Sequence, residues 1–478
     1  MANLPAQSPA PSAFGSFSQS ADLGAARTPG RTTYDAETQE YLLQSAGAGL
    51  IDAADECHGV WRQLRGDCIL QAVTEAAATE GVGTVGLMLR ASLAPGAPSL
   101  SVLRLANGTT AIWFRRQEGG AVEEIRLAEG NAAMLQLVRR GAETIVSVAR
   151  FGDLFTTRIC PEVTFDAEAF FGLVVAGGSA RFRNVRLVRP APVGFVPYRD
   201  YIGSELELLD VATGRRRSVH HEEDSLQAPN WTPDHRALLC NRNGRIYRFD
   251  LATRAMSLVD TGEQIRNNND HALSFDGTRL GISSGEVSRV YTLPVGGGTP
   301  RLITPVGPSY LHGWSPDGNY LVFTAGRGDC GGNLNLYRVP ATGGAEERLT
   351  TTAALDDGSE YTPDGRWIYF NSTRTGRMQI WRMRPDGSAQ EQLTFDDSNN
   401  WFPHIAPDGK SLVFITYGPE IAATDHPFYK HVYFRRMPLT GGLSQVVAYV
   451  YGGQGSMNVN SWAPDSRTFA FVSNSAVL

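Results

Sequence analysis

Short runs of alternating apolar and polar residues recur through the second half of the chain, and each run follows the same kind of turn. The runs are RALLCN, TRLGISS, NYLVFTA, RWIYFNS, KSLVFIT and RTFAFVS. A period of two is typical of a β-strand with one buried face. The preceding turns are WTPDH (231–235), LSFDG (273–277), WSPDG (314–318), YTPDG (361–365), IAPDG (405–409) and WAPDS (462–466). Proline presets φ, and Asp and Gly tolerate a tight bend, so each copy predicts a β-hairpin.

The spacing of these turns predicts a β-propeller. Successive copies start 42, 41, 47, 44 and 57 residues apart, and a second, Gly-rich hairpin follows each of the first five. Four strands in about 42 residues form one propeller blade. The last inner hairpin, at 458–473, has no outer hairpin after it, whereas the outer hairpin at 206–220 has no inner one before it. We therefore expect these two hairpins to pair and to close a six-bladed ring.

The repeat resembles the TolB-like propeller family, whose PD40 unit has the form xSPDGxxLxF followed by a Gly-rich outer hairpin. The resemblance covers residues 196–478, with six copies of the turn. It implies the six-bladed fold. It implies much less about activity, because this scaffold carries binding proteins, peptidase lids and polysaccharide lyases.

The first half of the chain lacks the repeat and predicts a separate all-β domain. Short alternating strands such as TVGLMLR and TAIWFRR are separated by Gly-rich turns, which is typical of a β-sandwich. The pattern is similar to the concanavalin-like jelly rolls found beside carbohydrate-active modules. The predicted organisation is a linker-like N-terminus (1–12), a jelly-roll sandwich (13–190), a Pro-rich linker (191–197) and the propeller (198–478). Trp61, Trp113 and Arg115 could form a sugar platform, but core aromatics with a solvated arginine are the favoured interpretation.

Composition narrows the classes of partner and the compartment. The formal net charge of −6 gives no sign of a nucleic-acid surface. Five scattered cysteines, an odd number with no CxxC, favour a reducing compartment. No apolar run is long enough to span a membrane, and the N-terminus lacks the apolar core of a signal peptide. The sequence as it stands therefore indicates a cytoplasmic protein, or a periplasmic or secreted one whose leader has been removed. The sequence contains no phosphate-binding loop, and we expect no organic cofactor.

Histidines concentrate at one position of the repeat. The first strand of each blade lines the channel of a propeller, and His271 and His312 stand three residues before the Ser of the turn. Glu360 and His404 stand one residue later, which is a position of opposite parity on a strand. Since the chain has only nine histidines, we expect His271, His312, Glu360 and His404 to form a catalytic cluster in the channel. Polar neighbours would bind substrate: Asp270, Asn400, Trp401, Lys430, Gln454, Asn458 and Asn460.

Two kinds of chemistry fit these four residues. Three imidazoles and a carboxylate could bind one divalent metal (Mn, Zn, Ni, Fe or Ca), which would polarise a substrate carboxylate or activate water. This arrangement resembles that of the oligogalacturonate lyases, although their closely spaced histidine motif is absent. Without a metal, His271 or His404 could act as general base and Glu360 or Asp270 as acid in glycoside cleavage.

The sequence therefore supports two hypotheses. The first is a carbohydrate-active enzyme, a lyase or hydrolase that acts on an oligosaccharide or polysaccharide at the mouth of the channel. The second is a non-catalytic scaffold that, like TolB, uses the propeller to bind a protein or a glycan.

Overall fold

The structure is a computed structural model that describes residues 13–26, 28–50, 53–76, 83–196, 199–328, 333–476 and 478. It divides into two compact units, Met1–Pro190 together with Leu478, and Ala191–Val477. Every regular element in the described part is a β-strand. That part contains no helix long and apolar enough to cross a membrane. The predicted N-terminal linker at 1–12 lies outside the described residues, as does Cys330. The four described cysteines are unpaired and buried.

The first unit consists of two seven-stranded antiparallel sheets. One sheet has the order β1 (Gln19–Leu23), β4 (Cys57–Arg65), β13 (Glu168–Ala176), β6 (Thr84–Arg90), β7 (Ser99–Leu105), β8 (Thr110–Arg115) and β9 (Glu123–Arg126). The other has the order β12 (Thr156–Ile159), β11 (Glu143–Ala149), β10 (Met134–Arg140), β5 (Cys68–Ala76), β14 (Gly178–Val188), β3 (Glu40–Ser45) and β2 (Arg31–Asp35).

The inward residues of both sheets form one apolar core. Leu87 and Phe171 of the first sheet and Leu137 and Phe182 of the second belong to the same buried cluster. Alternation of apolar residues therefore positions one face of each sheet in this core, as the strand pattern predicted. The structure does not favour the sugar platform: Trp61 is buried, and Arg115 is buried in an ion pair with Asp55.

The second unit is a six-bladed β-propeller in which five blades are four-stranded sheets. The blades are β17 (Gln227–Trp231), β18 (Ala237–Arg242), β19 (Arg245–Asp250), β20 (Met256–Leu258); β21 (Asn267–Leu273), β22 (Arg279–Ser284), β23 (Arg289–Pro294), β24 (Arg301–Leu302); β25 (Ser309–Trp314), β26 (Tyr320–Ala325), β27 (Asn335–Pro340), β28 (Glu347–Arg348); β29 (Asp356–Tyr361), β30 (Ile368–Ser372), β31 (Gln379–Met383), β32 (Glu391–Gln392); and β33 (Asn399–Ile405), β34 (Ser411–Tyr417), β35 (Lys430–Pro438), β36 (Gln445–Gly452).

The sixth sheet combines strands from the two ends of this unit. β37 (Thr468–Asn474) pairs with β15 (Ser204–Asp210), which pairs in turn with β16 (Arg215–Glu222). The register from Ser204↔Asn474 to Asp210↔Thr468 is continuous. An isolated bridge joins Trp462 to Phe469 on the inner side.

The repeated turn is held by its own side chains. In the WSPDG turn, the Ser315 hydroxyl donates to Asp317 Oδ1 (2.5 Å), and the backbone N–H of Asn319 donates to the same oxygen (3.0 Å). Thr232 and Asp234, Ser274 and Asp276, and Thr362 and Asp364 repeat the hydroxyl contact at 2.6 Å. These hydrogen bonds lower the pKa of each carboxyl, to about 2 for Asp276 and Asp364. The Ser/Thr-x-Asp spacing therefore fixes the end of each inner strand.

Glu207 forms a buried ion pair in the sixth sheet that can be tested. Its carboxylate lies 3.1 Å from Arg216 Nε and accepts a hydrogen bond from Ser473 Oγ (2.5 Å). Glu207→Gln leaves the Arg216 charge buried beside a neutral amide, so we expect a loss of about 3–5 kcal/mol in the free energy of unfolding. Urea unfolding followed by tryptophan fluorescence measures it.

The control is Arg467→Ala, which removes an exposed ion pair between Arg467, just before β37, and Asp210 at the end of β15. Its loss should stay below about 1 kcal/mol. Equal losses of unfolding free energy in the two variants would show that the buried ion pair stabilises the protein no more than the exposed one.

Candidate functional site

Each of the five inner strands contains a β-bulge just before its turn. The register shifts between Gln227 and Asn230, Asn267 and His271, Leu311 and Gly313, Asp357 and Glu360, and Trp401 and His404. A bulge changes which face of the strand the following side chains occupy. His312 lies inside the bulge of its strand, between Leu311 and Gly313, whereas His271, which is also three residues before its turn, is paired regularly with Ile282. The same offset from the turn therefore does not give the side chain the same direction in every blade.

A glycine makes room for the bulge of β29. Gly358 has φ of +63° and Phe402, in the next blade, has φ of +53°. The Phe402 N–H donates to Asn371 Oδ1 (2.9 Å). A Cβ at Gly358 would overlap the Asn371 carboxamide and touch the Phe402 ring. Phe402 is thereby held against the His312 ring, with 6.0 Å between ring centroids.

The six turns surround an axial cavity of about 240 Å³. Its wall is mainly apolar. The polar residues Asn230, His312, Glu360 and Asn460 stand one or two positions before an aromatic residue, and Ser274 lies in a turn. The lining residues are Asn230, Trp231, Pro233, Ala272, Leu273, Ser274, Phe275, His312, Gly313, Trp314, Glu360, Tyr361, Pro363, Ile405, Pro407, Asn460, Trp462 and Pro464.

Glu360 and His404 form a buried hydrogen-bonded group at the floor of this cavity. His404 Nδ1 lies 2.9 Å from Glu360 Oε2, and its Nε2 donates to the Met457 carbonyl oxygen (2.7 Å). Glu360 Oε1 also accepts hydrogen bonds from the Ile405 N–H (3.0 Å) and from Asn460 Nδ2 (2.5 Å). Both ring nitrogens of His404 are thus engaged by groups of the protein.

His312 belongs to a second group of charged residues. Its Nε2 lies 2.8 Å from Asp357 Oδ1, but neither atom makes a well-directed hydrogen bond, so the contact is mainly an attraction of opposite charges. Burial alone would lower the pKa of His312, but the carboxylates of Asp357, Asp270 and Glu360 outweigh burial and raise it. Burial alone would raise the pKa of Asp357, but His312 holds it at about 2.

Asp270 has no cation of its own to compensate its burial. Burial raises its pKa to about 7, the charge of Asp357 adds to the effect, and His312 opposes it. Asn268 Nδ2 donates a hydrogen bond to Asp270 Oδ2 (2.7 Å). The carboxyl group of Asp270 therefore changes its charge near neutral pH.

His271 is fully buried and does not line the cavity. Its Nε2 donates a long hydrogen bond (3.4 Å) to the Leu239 carbonyl oxygen of the preceding blade. Burial lowers the pKa of His271 to about 4, so its imidazole is neutral at pH 7. Of the four predicted catalytic residues, only His312 and Glu360 line the cavity. Within the described residues, no three His, Cys, Asp or Glu side chains are arranged to hold a metal ion.

Most of the predicted substrate-binding residues have contacts within the protein. Asn400 accepts a hydrogen bond from Thr416 Oγ1 (2.8 Å). Trp401 is fully buried in an apolar cluster. Gln454 is bonded to Asn458 (3.0 Å), and Lys430 is exposed at the start of β35. Among the predicted set, Asn460 lines the cavity together with His312 and Glu360.

Three components of the site were not predicted from the sequence. One is Asp357, the charged partner of His312. Another is His426, whose ring packs against Trp401 with 4.4 Å between centroids, and whose pKa is lowered by burial. It comes from the loop between β34 and β35, where no repeat points to it. The third is the aromatic wall. The residue before the Ser, Thr or Ala of the turn is aromatic in four of the six copies, namely Trp231, Trp314, Tyr361 and Trp462, and this regularity is visible in the sequence.

Comparison with known proteins identifies the family of the chain. The family model described as TolB beta propeller domain (PD40) matches residues 312–426. A protein of Agrobacterium fabrum, named Uncharacterized protein Atu1656, is 42% identical over 274 residues, which are 56% of this chain and 92% of that protein. A solved structure from Agrobacterium tumefaciens, assigned provisionally as TolB, is 41% identical with a TM-score of 0.55, covering 58% of this chain and 100% of that one. The chain therefore belongs to the TolB-like β-propeller family.

The expected likeness to oligogalacturonate lyases is weak. The oligogalacturonate lyase of Vibrio parahaemolyticus is 13% identical with a TM-score of 0.37, covering 52% of this chain and 74% of that one. Identity and structural similarity this low do not allow an inference about activity. The relatives give no support to carbohydrate chemistry or to metal binding in this chain.

The raised pKa of Asp270 leads to a test in which pH is varied. The folded protein holds this proton more tightly than the unfolded chain, whose Asp has a pKa of about 3.9, and the stabilising contribution of the proton is lost as pH rises toward 7. Asp270→Asn has no proton to lose. Its free energy of unfolding relative to wild type should therefore rise steadily over that range and level off above it.

Asp276, in the same blade, is the control with the opposite sign. Its pKa is lowered to about 2 by hydrogen bonds from Ser274 and Thr278, so its contribution is present at neutral pH and is lost in acid. Asp276→Asn should be less stable than wild type at pH 7, with the difference shrinking as pH falls. Urea unfolding at a series of pH values measures both variants. Parallel pH profiles for Asp270→Asn and wild type would contradict the assignment.

Proposed function

We propose that the propeller is a non-catalytic scaffold that binds a partner protein by accepting an apolar segment of that partner in the axial cavity. The observation that carries the proposal is the wall of the cavity, which is built from the aromatic and proline residues of the six repeated turns. Trp and Tyr dominate the binding energy of protein interfaces when they surround a desolvated pocket.

The size of the cavity supports a protein partner over a sugar chain. Its volume is about 240 Å³, below the range of about 300–1,000 Å³ typical of pockets for drug-sized ligands. Such a cavity suits one or two apolar side chains. An extended oligosaccharide would need a longer cleft with free polar groups along it.

The polar floor supports the same conclusion. Glu360 and Asn460 are hydrogen-bonded to each other and to backbone groups. The Trp462 indole N–H donates to the His404 carbonyl oxygen (2.9 Å), and that of Trp314 donates to the Ala272 carbonyl oxygen (2.9 Å). Because these groups are already paired, they gain little from a polyhydroxylated ligand.

The carbohydrate-active hypothesis has less support. His271 and His404, proposed above as base or metal ligands, are engaged by backbone carbonyl oxygens and do not line the cavity. His312 and Glu360 remain as candidates, but His312 is paired with Asp357. No observation favours a divalent metal at this set of residues.

Two finer structural assignments accompany the proposal. We infer that the pairing of β15 with β37 closes the ring and so keeps the six turns at fixed distances around the cavity; the continuous register between the two strands supports this. We also infer that the N-terminal unit is a concanavalin-like jelly roll, which is supported by its two seven-stranded antiparallel sheets.

Phe275 provides a test that spares the core. It lines the cavity and 44% of its surface is exposed, so its replacement should not unfold the propeller. Peptides are selected from a random displayed library on the wild-type protein, and their dissociation constants are measured by fluorescence anisotropy. Phe275→Ser should weaken the binding of the selected peptides by about tenfold or more, because a hot-spot aromatic residue contributes more than about 1 kcal/mol.

The matched control is Phe395→Ser, because Phe395 is 77% exposed and does not line the cavity. Its peptide affinities should equal those of wild type. If the selected peptides bind Phe275→Ser and wild type equally well, or if oligosaccharides alone bind and are cleaved, the scaffold proposal is wrong.

A further inference from the structure

A cluster of hydroxyl, imidazole and carboxylate groups lies in the N-terminal unit, where β1, β2 and β4 meet. His58 Nδ1 lies 2.7 Å from Asp22 Oδ1. On the other side of the ring, His58 Nε2 lies 3.1 Å from Ser20 Oγ and 3.0 Å from Thr32 Oγ1. Asp22 and Ser20 are neighbours on one face of β1, which pairs with β4 in the register Ser20↔Val60 and Asp22↔His58. The strand period of two therefore positions both groups against one imidazole.

The hydrogen bonds fix the tautomer of His58. A carboxylate only accepts, so Nδ1 carries the proton that is shared with Asp22. Nε2 then presents its lone pair to the hydroxyls, which is the arrangement in which an imidazole acts as general base toward a serine. Ser20 Oγ also lies 2.9 Å from the Gly59 carbonyl oxygen and 2.7 Å from Thr32 Oγ1. Its single proton is thus surrounded by acceptors.

Gly30 positions the carboxylate and leaves room for the ring. Its backbone N–H lies 3.0 Å from each oxygen of Asp22. A Cβ at Gly30 would overlap both the His58 ring and Asp22 Oδ1. His58 is 4% exposed, whereas Ser20 is only partly buried. A reagent that arrives from solvent can therefore reach the Ser20 hydroxyl, while the imidazole that would act as its base is buried.

We propose that Ser20 is a nucleophile activated by His58 and oriented by Asp22, and that this site transfers acyl groups from small carboxylic esters. The site belongs to the N-terminal unit and is independent of the function proposed for the propeller. Ser20 Oγ attacks the ester carbonyl carbon, and its proton passes to His58 Nε2. The C–O bond to the leaving alcohol breaks, and His58 returns the proton to that oxygen. Water, deprotonated by His58, then hydrolyses the acyl-Ser20 ester and restores the hydroxyl and the neutral imidazole.

The test uses the full chain and a fluorophosphonate probe, which reacts with activated serines. Intact-mass analysis should show one adduct per chain, and peptide mapping should place it on Ser20. Ser20→Ala should abolish the adduct. Asp22→Asn and His58→Ala should slow labelling by about 100-fold or more, the usual contribution of a general base. Added imidazole should restore part of the labelling rate of His58→Ala, which a merely structural histidine would not allow.

Ser18→Ala is the matched control, because Ser18 Oγ donates to the Trp61 carbonyl oxygen and contacts no imidazole. It should be labelled at the wild-type rate. Hydrolysis of p-nitrophenyl acetate should fail in the same variants that fail to label. If the folded wild type forms no adduct on Ser20, if the adduct lies on Thr32, or if Asp22→Asn is labelled as fast as wild type, the proposal is wrong.

Discussion

The propeller depends on a buried carboxylate that is shared by three blades. Glu360 leaves the inner strand of one blade, accepts hydrogen bonds from His404 and from the Ile405 backbone of the next blade, and accepts another from Asn460 of the blade after that. A buried charge is costly unless it is fully paired. Glu360 therefore favours the one arrangement of these three blades that satisfies both of its oxygens.

This constraint explains why polar residues concentrate at the floor of the cavity while its wall is apolar. The inner strands meet their neighbours through side chain to backbone hydrogen bonds, as when Asn230 Oδ1 accepts from the Leu273 N–H (3.0 Å). The turns that follow are held by Ser or Thr and Asp side chains, which leaves the adjacent proline and aromatic residues to line the opening. The polar groups of this scaffold therefore stabilise its fold, and its apolar groups are accessible to a partner.

The architecture of the second half followed from the sequence because turn chemistry is local. Proline, Asp and Gly recur at fixed positions, so the number of inner hairpins could be counted and the six-bladed propeller predicted. The site did not follow in the same way, because His312 lies inside a bulge whereas His271, at the same offset from its turn, is regularly paired. No residue type in HALSFDG or in LHGWSPDG marks the position of the bulge. The contact of His312 with Asp357 joins different blades, and such pairings depend on how neighbouring sheets pack.

A double-mutant cycle on Glu360 and His404 tests the central claim most directly, namely that His404 is a structural residue that joins neighbouring blades through Glu360. The free energies of unfolding of wild type, Glu360→Gln, His404→Gln and the double variant are measured in urea. The structure predicts that each single variant is destabilised and that the two residues are coupled by about 1–3 kcal/mol, as expected for buried residues in one hydrogen-bond network. If both single variants are as stable as wild type and the two residues show no coupling, the account is contradicted. His404 would then again be a candidate catalytic residue.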